Sequence, residues 1–376
     1  MFRLFSILFL VICCSGISAS LNAQSRKGQS LEISYHRGRI LKHSPRLAYE
    51  IPDLTQGIYL NWQWQTYGQK EWQQHQGFPL IGLTAQYFFL GDSDILGQSF
   101  GLIPNLTLPL IRQPKWGLQF QVGSGLAWLT HTFDLLENPE NNAIGSHLNN
   151  STYFRGIFHW KFHPKWTLTG GGSFTHFSNA ASQMPNLGVN VPALSLGVQF
   201  SPEPLVSEDY VRWEASRKAA NKWGLHAHFN LAYKETSVPG GPKMPVYVAS
   251  VAGLYRLSEV NHLQFGIEYE YQRSLYYFGL HTFTFHNEQD ARRGATRWMV
   301  FVADEFLFGS VGILLQAGVY ISPQSILVPW ALYNKLALRY YLPPIGTSGP
   351  QIYFGGYMKS HKIAAEYFGM GVGVRL

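Results

Sequence analysis

Apolar and polar residues alternate one for one through much of this chain. In one run Leu118, Phe120, Val122, Leu126 and Trp128 alternate with Gly117, Gln119, Gln121, Gly123 and Gly125. A second sets Trp223, Leu225, Ala227, Phe229, Leu231 and Tyr233 against Gly224, His226, His228 and Asn230. A third opposes Leu263, Phe265, Ile267, Tyr269 and Tyr271 to Gln264, Gly266, Glu268, Glu270 and Gln272, and a shorter one Leu60, Trp62 and Trp64 to Asn61, Gln63 and Gln65. Successive side chains of a strand point to opposite faces, so a period of two predicts strands with one oily and one polar face. A soluble sandwich also alternates, but its outward row is charged and its strands span about five or six residues. Here the oily row persists for about ten residues and often ends in Trp or Tyr, which predicts a membrane β-barrel with aromatic girdles and a polar interior. Closure is required, because an open sheet edge in hydrocarbon would leave backbone groups unpaired. About sixteen such runs occur along the chain.

The runs fall into two groups. Gly170-Gly171-Gly172-Ser173-Phe174-Thr175-His176-Phe177 leads into a strand ending Leu194-Ser195-Leu196-Gly197-Val198-Gln199-Phe200. Near the C-terminus Gly355-Gly356-Tyr357-Met358-Lys359-Ser360-His361 leads into Met370-Gly371-Val372-Gly373-Val374-Arg375-Leu376, a second closing strand of the same kind. Between them residues 202–221 change character: Pro202 and Pro204 stop the strand, and Glu203, Glu208, Asp209, Arg212, Glu214, Arg217 and Lys218 crowd together. Ser207 can cap a short helix there, with Glu208 and Asp209 at its positive end and Arg217 and Lys218 at its negative end. This predicts a polar periplasmic linker joining two halves, residues 24–201 and 222–376, each of about eight antiparallel strands. Since each half has its own closing strand, two small barrels in tandem are favoured over one barrel of about sixteen strands.

Composition agrees with an all-β membrane class. Charged residues make up 14% of the 376, against about 25% in an average soluble domain, while aromatics reach 15% and there are 37 Gly. Disordered chains, helical bundles and coiled coils are excluded. Arg3, the apolar run Leu4 to Cys14 and the small-residue end at Leu21-Asn22-Ala23 read as a signal peptide over residues 1–23. Both cysteines lie within it, so neither disulfides nor cysteine-ligated metals hold the exported protein together. No later stretch is apolar enough for a transmembrane helix, since Asp304 and Glu305 interrupt the best candidate, Val300 to Ile321. The formal charge of +7, in an exported protein, points to anionic lipid or saccharide nearby and not to nucleic acid.

Signatures of soluble enzymes are missing. Gly309-Ser310-Val311-Gly312 lacks the first glycine of a nucleophile elbow, and Gly369-x-Gly371-x-Gly373 lies in a predicted strand and opens no helix. His226 and His228 share a lumen-facing row but have no third ligand at suitable spacing, so no metal and no cofactor is expected. One strand departs from the pattern. In Trp166 to Ser178 the even row begins Trp166, Leu168 and Phe174, faces lipid by the alternation, and ends in His176 and Ser178. A base and a nucleophile on one lipid-facing row suit a substrate that is itself a lipid. Read alone, the same pair also describes a polar strand end at the water boundary.

The run His176-Phe177-Ser178-Asn179-Ala180-Ala181-Ser182-Gln183-Met184-Pro185-Asn186-Leu187-Gly188-Val189-Asn190 resembles the signature of the outer-membrane lipid A 3-O-deacylases, eight-stranded barrels with His-x-Ser-Asn followed by Pro-Asn-x-Gly. The resemblance covers the first half, most fully residues 141–201. It implies that Ser178 is the nucleophile and His176 the base of an esterase that removes an acyl chain from the lipid A of lipopolysaccharide. It further implies that Asn179, Asn186 and Gly188 contribute to the oxyanion and substrate site, and that the protein resides in the outer membrane. The family's acidic third member falls at Asn190, and no Asp or Glu occurs from Asn141 to Pro202. A Ser–His dyad and an inactive relative therefore both stand, and an acid from elsewhere, such as Asp92 or Asp94, stays open. By the repeat, His176 falls opposite Ser360 and Ser178 opposite Lys362, so the second half lacks the pair. The alternative function is a non-catalytic barrel that organises lipopolysaccharide or passes small solutes.

Overall fold

The computed structural model describes residues 26–214, 222–236, 239–322, 331–346, 349–361 and 364–376. The signal peptide expected over residues 1–23 lies outside the described residues. Eight strands make the first closed barrel: β1 (Gln29–Gly38), β2 (Thr55–Gln65), β3 (Leu80–Phe89), β4 (Gln98–Arg112), β5 (Trp116–Leu129), β6 (Leu148–His163), β7 (Trp166–Ser178) and β8 (Val189–Phe200). Eight more make a second: β9 (Trp223–Glu235), β10 (Lys243–Ser258), β11 (Asn261–Gln272), β12 (Thr296–Phe308), β13 (Val311–Tyr320), β14 (Leu332–Tyr341), β15 (Gln351–His361) and β16 (Ala364–Arg375). Neighbours are antiparallel, and each barrel closes by pairing its first strand with its last, Ile33 opposite Val198 and Phe229 opposite Val372. The chain is thus two tandem barrels, and no described helix is long and apolar enough to cross a membrane.

The alternation sorts side chains as the hydrocarbon demands. Leu31, Ile33, Leu60, Trp62, Phe120, Leu196, Phe229, Val251, Ile267 and Val302 stand exposed on the outer walls, where they meet lipid and not water. Trp62 and Trp64, Trp166 and Phe200, and Trp223 and Tyr255 pair near the rim that carries the linker, which supplies one aromatic girdle.

The lumens are packed with side chains, as eight strands leave room for little else. In the first barrel Arg155 donates to Glu32 at 3.1 and 3.3 Å and to Gln121 at 3.1 Å, and Thr169 donates to Glu32 at 2.8 Å. The second holds four buried carboxylates against buried cations: Lys335 with Glu268 at 2.6 Å, Lys359 with Glu270 at 2.5 Å, Arg297 with Glu366 at 2.6 Å and Arg339 with Glu305 at 3.4 Å. His226 and His228 lie among them, bonded to Tyr353 at 3.3 Å and Ser250 at 2.7 Å.

One expectation needs correction. The first interior is not polar throughout: in the half away from the linker, polar groups such as His36, Gln86 and Ser151 are mixed with apolar ones. Towards the far rim Tyr59, Phe88, Ile103, Tyr153, Phe177, Val189 and Val191 join Ile40, Leu47, Tyr49, Leu90, Leu96 and Ile144 from the loops in one apolar cluster. The long loops 39–54 and 130–147 fold inward and cap the barrel, so oily residues face each other there.

The linker also differs from expectation. Its described residues form a 3₁₀ turn, Ser207–Asp209, with Val206 and not Ser207 at the N-cap position and no side-chain cap, and the chain from 210 to 214 has no helix. Arg217 and Lys218 lie outside the described residues. Tertiary contacts override the capping signal. Lys27 bonds Asp209, Tyr210 packs edge-on against Phe78 at 5.0 Å, and the Trp213 indole donates to Gly68 O at 2.7 Å. Among the described residues the loops carry three short helices that alternation did not foretell, α1 (Glu71–His75), α2 (Arg273–His281) and α3 (Glu288–Gly294).

Candidate active site

The far end of β7 carries the candidate chemistry. Thr175 and Phe177 point inward, Thr175 to the Tyr59 hydroxyl at 2.8 Å and Phe177 into the apolar cluster. Alternation therefore turns His176 and Ser178 to the outer wall. Cross-strand register places His176 between Thr152 of β6 and Asn190 of β8, with Asn150 beside Ser178.

His176 Nδ1 lies 2.6 Å from Asn190 Oδ1. An amide oxygen only accepts, so Nδ1 carries the proton and the neutral ring keeps its lone pair on Nε2. The imidazole is thus held as a base without a carboxylate. Asp92 is engaged elsewhere, accepting from the backbone N–H groups of Asp94 and Ile95 at 2.8 and 2.7 Å.

Ser178 is buried at 6% exposure. The Asn186 side-chain amide donates to its Oγ at 2.9 Å, and the Ala180 backbone N–H does so at 3.1 Å. No hydrogen bond joins His176 to Ser178 among the described residues. Ala180 and Ala181 both adopt the left-handed region, with φ of 53° and 60°, a conformation that costs a non-glycine residue about 1–3 kcal/mol. This sharp turn brings the Ala180 N–H back over the serine.

The other residues singled out from the sequence take distinct positions. The Asn179 backbone N–H donates to Asn186 Oδ1 at 3.0 Å, so it holds Asn186 and is not open to an oxyanion. The Gly188 N–H donates to Ala143 O at 3.0 Å. With φ of +79°, Gly188 passes so close to the imidazole that a Cβ there would lie 2.9 Å from His176 Cε1. Its part is to make room for the ring. Loop 39–54 closes over the same region, with Leu41 N–H donating to Asn190 O at 2.8 Å and His43 Nε2 lying 2.9 Å from Leu187 O.

A polar patch beside this group was missed. Ser124 Oγ, Thr152 Oγ1 and Asn150 form a ring of hydrogen bonds at 2.8, 2.7 and 3.0 Å on the outer face of β5 and β6. All three lie on rows that otherwise carry Leu118, Phe120, Phe154 and Phe158. Polar residues interrupting a lipid-facing row were the signal available in the sequence.

Fold and site together define a membrane β-barrel protein with a histidine–serine group in its lipid-facing wall. The family model described as lipid A 3-O-deacylase (PagL) matches residues 56–199, and that described as acyloxyacyl hydrolase, C-terminal domain, matches residues 222–376. The two models together span both closed sheets: the first barrel is similar to the lipid A 3-O-deacylases, the second to the acyloxyacyl hydrolase C-terminal domain. Among solved structures, the outer membrane enzyme PagL is similar at 16% identity and a TM-score of 0.34, over 44% of this chain and 97% of that one. OccAB4 from Acinetobacter baumannii is similar at 9% identity and a TM-score of 0.25, over 95% and 99% of the two chains. No curated protein matches the sequence detectably.

Proposed function

We propose that the protein is an outer-membrane esterase that removes an ester-linked acyl chain from the lipid A of lipopolysaccharide, using Ser178 and His176 of the first barrel. The observation that carries this reading is the imidazole on the outer wall beside a buried serine, with Nδ1 on Asn190 Oδ1 at 2.6 Å. In the reaction His176 Nε2 takes the Ser178 proton as Oγ attacks the ester carbonyl. The Asn186 Nδ2 and Ala180 N–H groups, at 2.9 and 3.1 Å from Oγ, hold the nucleophile, and they are the candidate donors to the oxyanion once Oγ has bonded to the ester carbon. The imidazolium then protonates the departing sugar oxygen. A water, deprotonated in turn by His176, hydrolyses the acyl-enzyme, releases the fatty acid and restores Ser178. The missing serine–histidine bond suits an unliganded site, since catalytic hydrogen bonds often close only in the substrate complex.

A membrane-facing site fits a substrate whose acyl chains never leave the bilayer. Long loops crown the rim opposite the linker, the arrangement in which short turns face the periplasm and long loops the cell exterior. On that orientation the site lies at the level of the outer leaflet, which supports the reading. Arg39, Lys42 and Arg46 are exposed on loop 39–54 beside it, where they suit an anionic saccharide headgroup. The solute channel of the alternative reading finds no support, because Glu32, Arg155, Glu268, Glu270 and Lys359 are all buried inside packed lumens.

The test is mass spectrometry of lipid A from cells producing the full chain or its Ser178→Ala variant. Loss of one ester-linked acyl chain with the wild type, and none with the variant, is expected. Identical, fully acylated lipid A in both would overturn the esterase.

A further inference from the structure

The second barrel reaches the site of the first. The two barrels meet at both rims. At the linker rim, Trp72 of α1 stands edge-on to Phe308 at 6.2 Å, and Gln76 Nε2 donates to Leu307 O at 2.9 Å. At the far rim, Glu235, the last residue of β9, accepts a hydrogen bond from the Met184 backbone N–H. Glu235 is only 4% exposed. A carboxylate at a strand end is ordinarily solvated; burying it is costly unless it is hydrogen-bonded. Here it bonds a backbone amide of the other barrel.

Met184 lies two residues before Asn186, whose amide bridges the Asn179 N–H at 3.0 Å and Ser178 Oγ at 2.9 Å. After Asn186 the segment is tied to its own barrel, Leu187 N–H to Asn142 O at 3.3 Å and Gly188 N–H to Ala143 O at 3.0 Å. Its leading part is held at Gln183 by the Asn179 side chain, at 2.8 and 3.4 Å, and at Met184 by the second barrel. Loops are the most mobile parts of a barrel, whereas a strand of a closed sheet is rigid, and a charge-assisted hydrogen bond is among the stronger ties between them.

We propose that the second barrel acts as a positioning element for the ester site of the first, through Glu235. Its carboxylate fixes the Met184 amide, and thereby seats the Asn186 side chain on Ser178. Glu235 touches neither substrate nor reacting atoms, so it is a positioning residue. The proposal rests on the esterase reading for its kinetic consequence, but not for the contact itself.

The experiment compares full-length wild type with Glu235→Ala and Glu235→Gln in detergent, with lipopolysaccharide as substrate. Acyl release is followed alongside amide hydrogen exchange over residues 179–188. Because the carboxylate seats Asn186 on Ser178, Glu235→Ala is expected to lower kcat about tenfold or more and to speed exchange in this segment, with KM within about twofold. Glu235→Gln, which keeps an oxygen acceptor, is expected to retain kcat within about threefold of wild type. Because both cysteines precede residue 15, a Met184→Cys, Glu235→Cys pair joined by a short thiol cross-linker replaces the tether covalently. Cross-linking is expected to restore slow exchange and turnover. Unchanged kcat and exchange in a folded Glu235→Ala variant, a Gln variant as impaired as Ala, or a pair that does not cross-link would each overturn the proposal. Should the wild type release no acyl chain, the esterase reading falls, while exchange and cross-linking still decide whether Glu235 holds the segment.

Discussion

On the proposed mechanism, Asn190 is the residue on which turnover depends most directly after Ser178 and His176. Its Oδ1 orients the imidazole at 2.6 Å, but an amide stabilises the imidazolium formed during acyl transfer far less than a carboxylate would. Replacing Asp by Asn in a serine protease triad costs ~10⁴ in turnover. The nearly isosteric Asn190→Asp change is therefore expected to raise kcat for acyl release at least about tenfold with little change in KM. Steady-state kinetics check this, and a decrease would mean that His176 does not pass through the charged state. The spacing of His176, Ser178 and Asn190 was legible because all three lie within one hairpin. The part of Gly188 was not, since its close passage by the imidazole is set by how the loop turns back on the strand.

At the scale of the element, the outer face of β5 and β6 explains how a lipid-facing wall tolerates polar groups. Ser124, Asn150 and Thr152 satisfy one another in a ring beside His176, and the ring offers the polar ester and sugar region of a lipid a place to exchange hydrogen bonds. Converting it to hydrocarbon with Asn150→Leu and Thr152→Val preserves the lipid-facing pattern of the strand. With each lost hydrogen bond worth about 0.5–1.5 kcal/mol, KM is expected to rise about tenfold while the barrel folds normally. Comparing KM with the heat-modified gel mobility of the barrel separates the two effects, and an unchanged KM would remove the patch from the substrate site. The strands themselves were readable from their period, and so was the outward row of β7. The short helices α1, α2 and α3 were not, because they lie in loops where no alternation runs.

At the scale of the whole molecule, the lumens hold the buried charges in pairs. Arg155 is buried against Glu32 and Gln121, so Arg155→Leu leaves a carboxylate without its partner inside packed protein. Breaking a buried pair in this way costs about 3–5 kcal/mol, whereas removing both charges is often close to neutral. The midpoint of unfolding in denaturant is expected to fall markedly for Arg155→Leu and to recover in part when Glu32→Gln is added. Equal midpoints for both variants would show that the pair contributes little. The same contrast separates the barrels, since the first relies on one such pair and an apolar cap, and the second on a network of four carboxylates.

The order of residues alone determined that this chain folds as closed sheets in a membrane, and favoured two such sheets over one. Side-chain direction repeats every two residues, and hydrocarbon permits no open edge, so local pattern was enough for the strands, their faces, the two closing segments and the histidine–serine row. Only the tertiary structure decided what stands beside what. The pairing of His176 with Asn190 and Thr152 follows from strand register, the inward fold of loop 39–54 from the apolar space at the far rim, and the reach of Glu235 to Met184 from how one barrel lies against the other. Such neighbours are set by packing between distant parts of the chain, and a period of two carries no record of them.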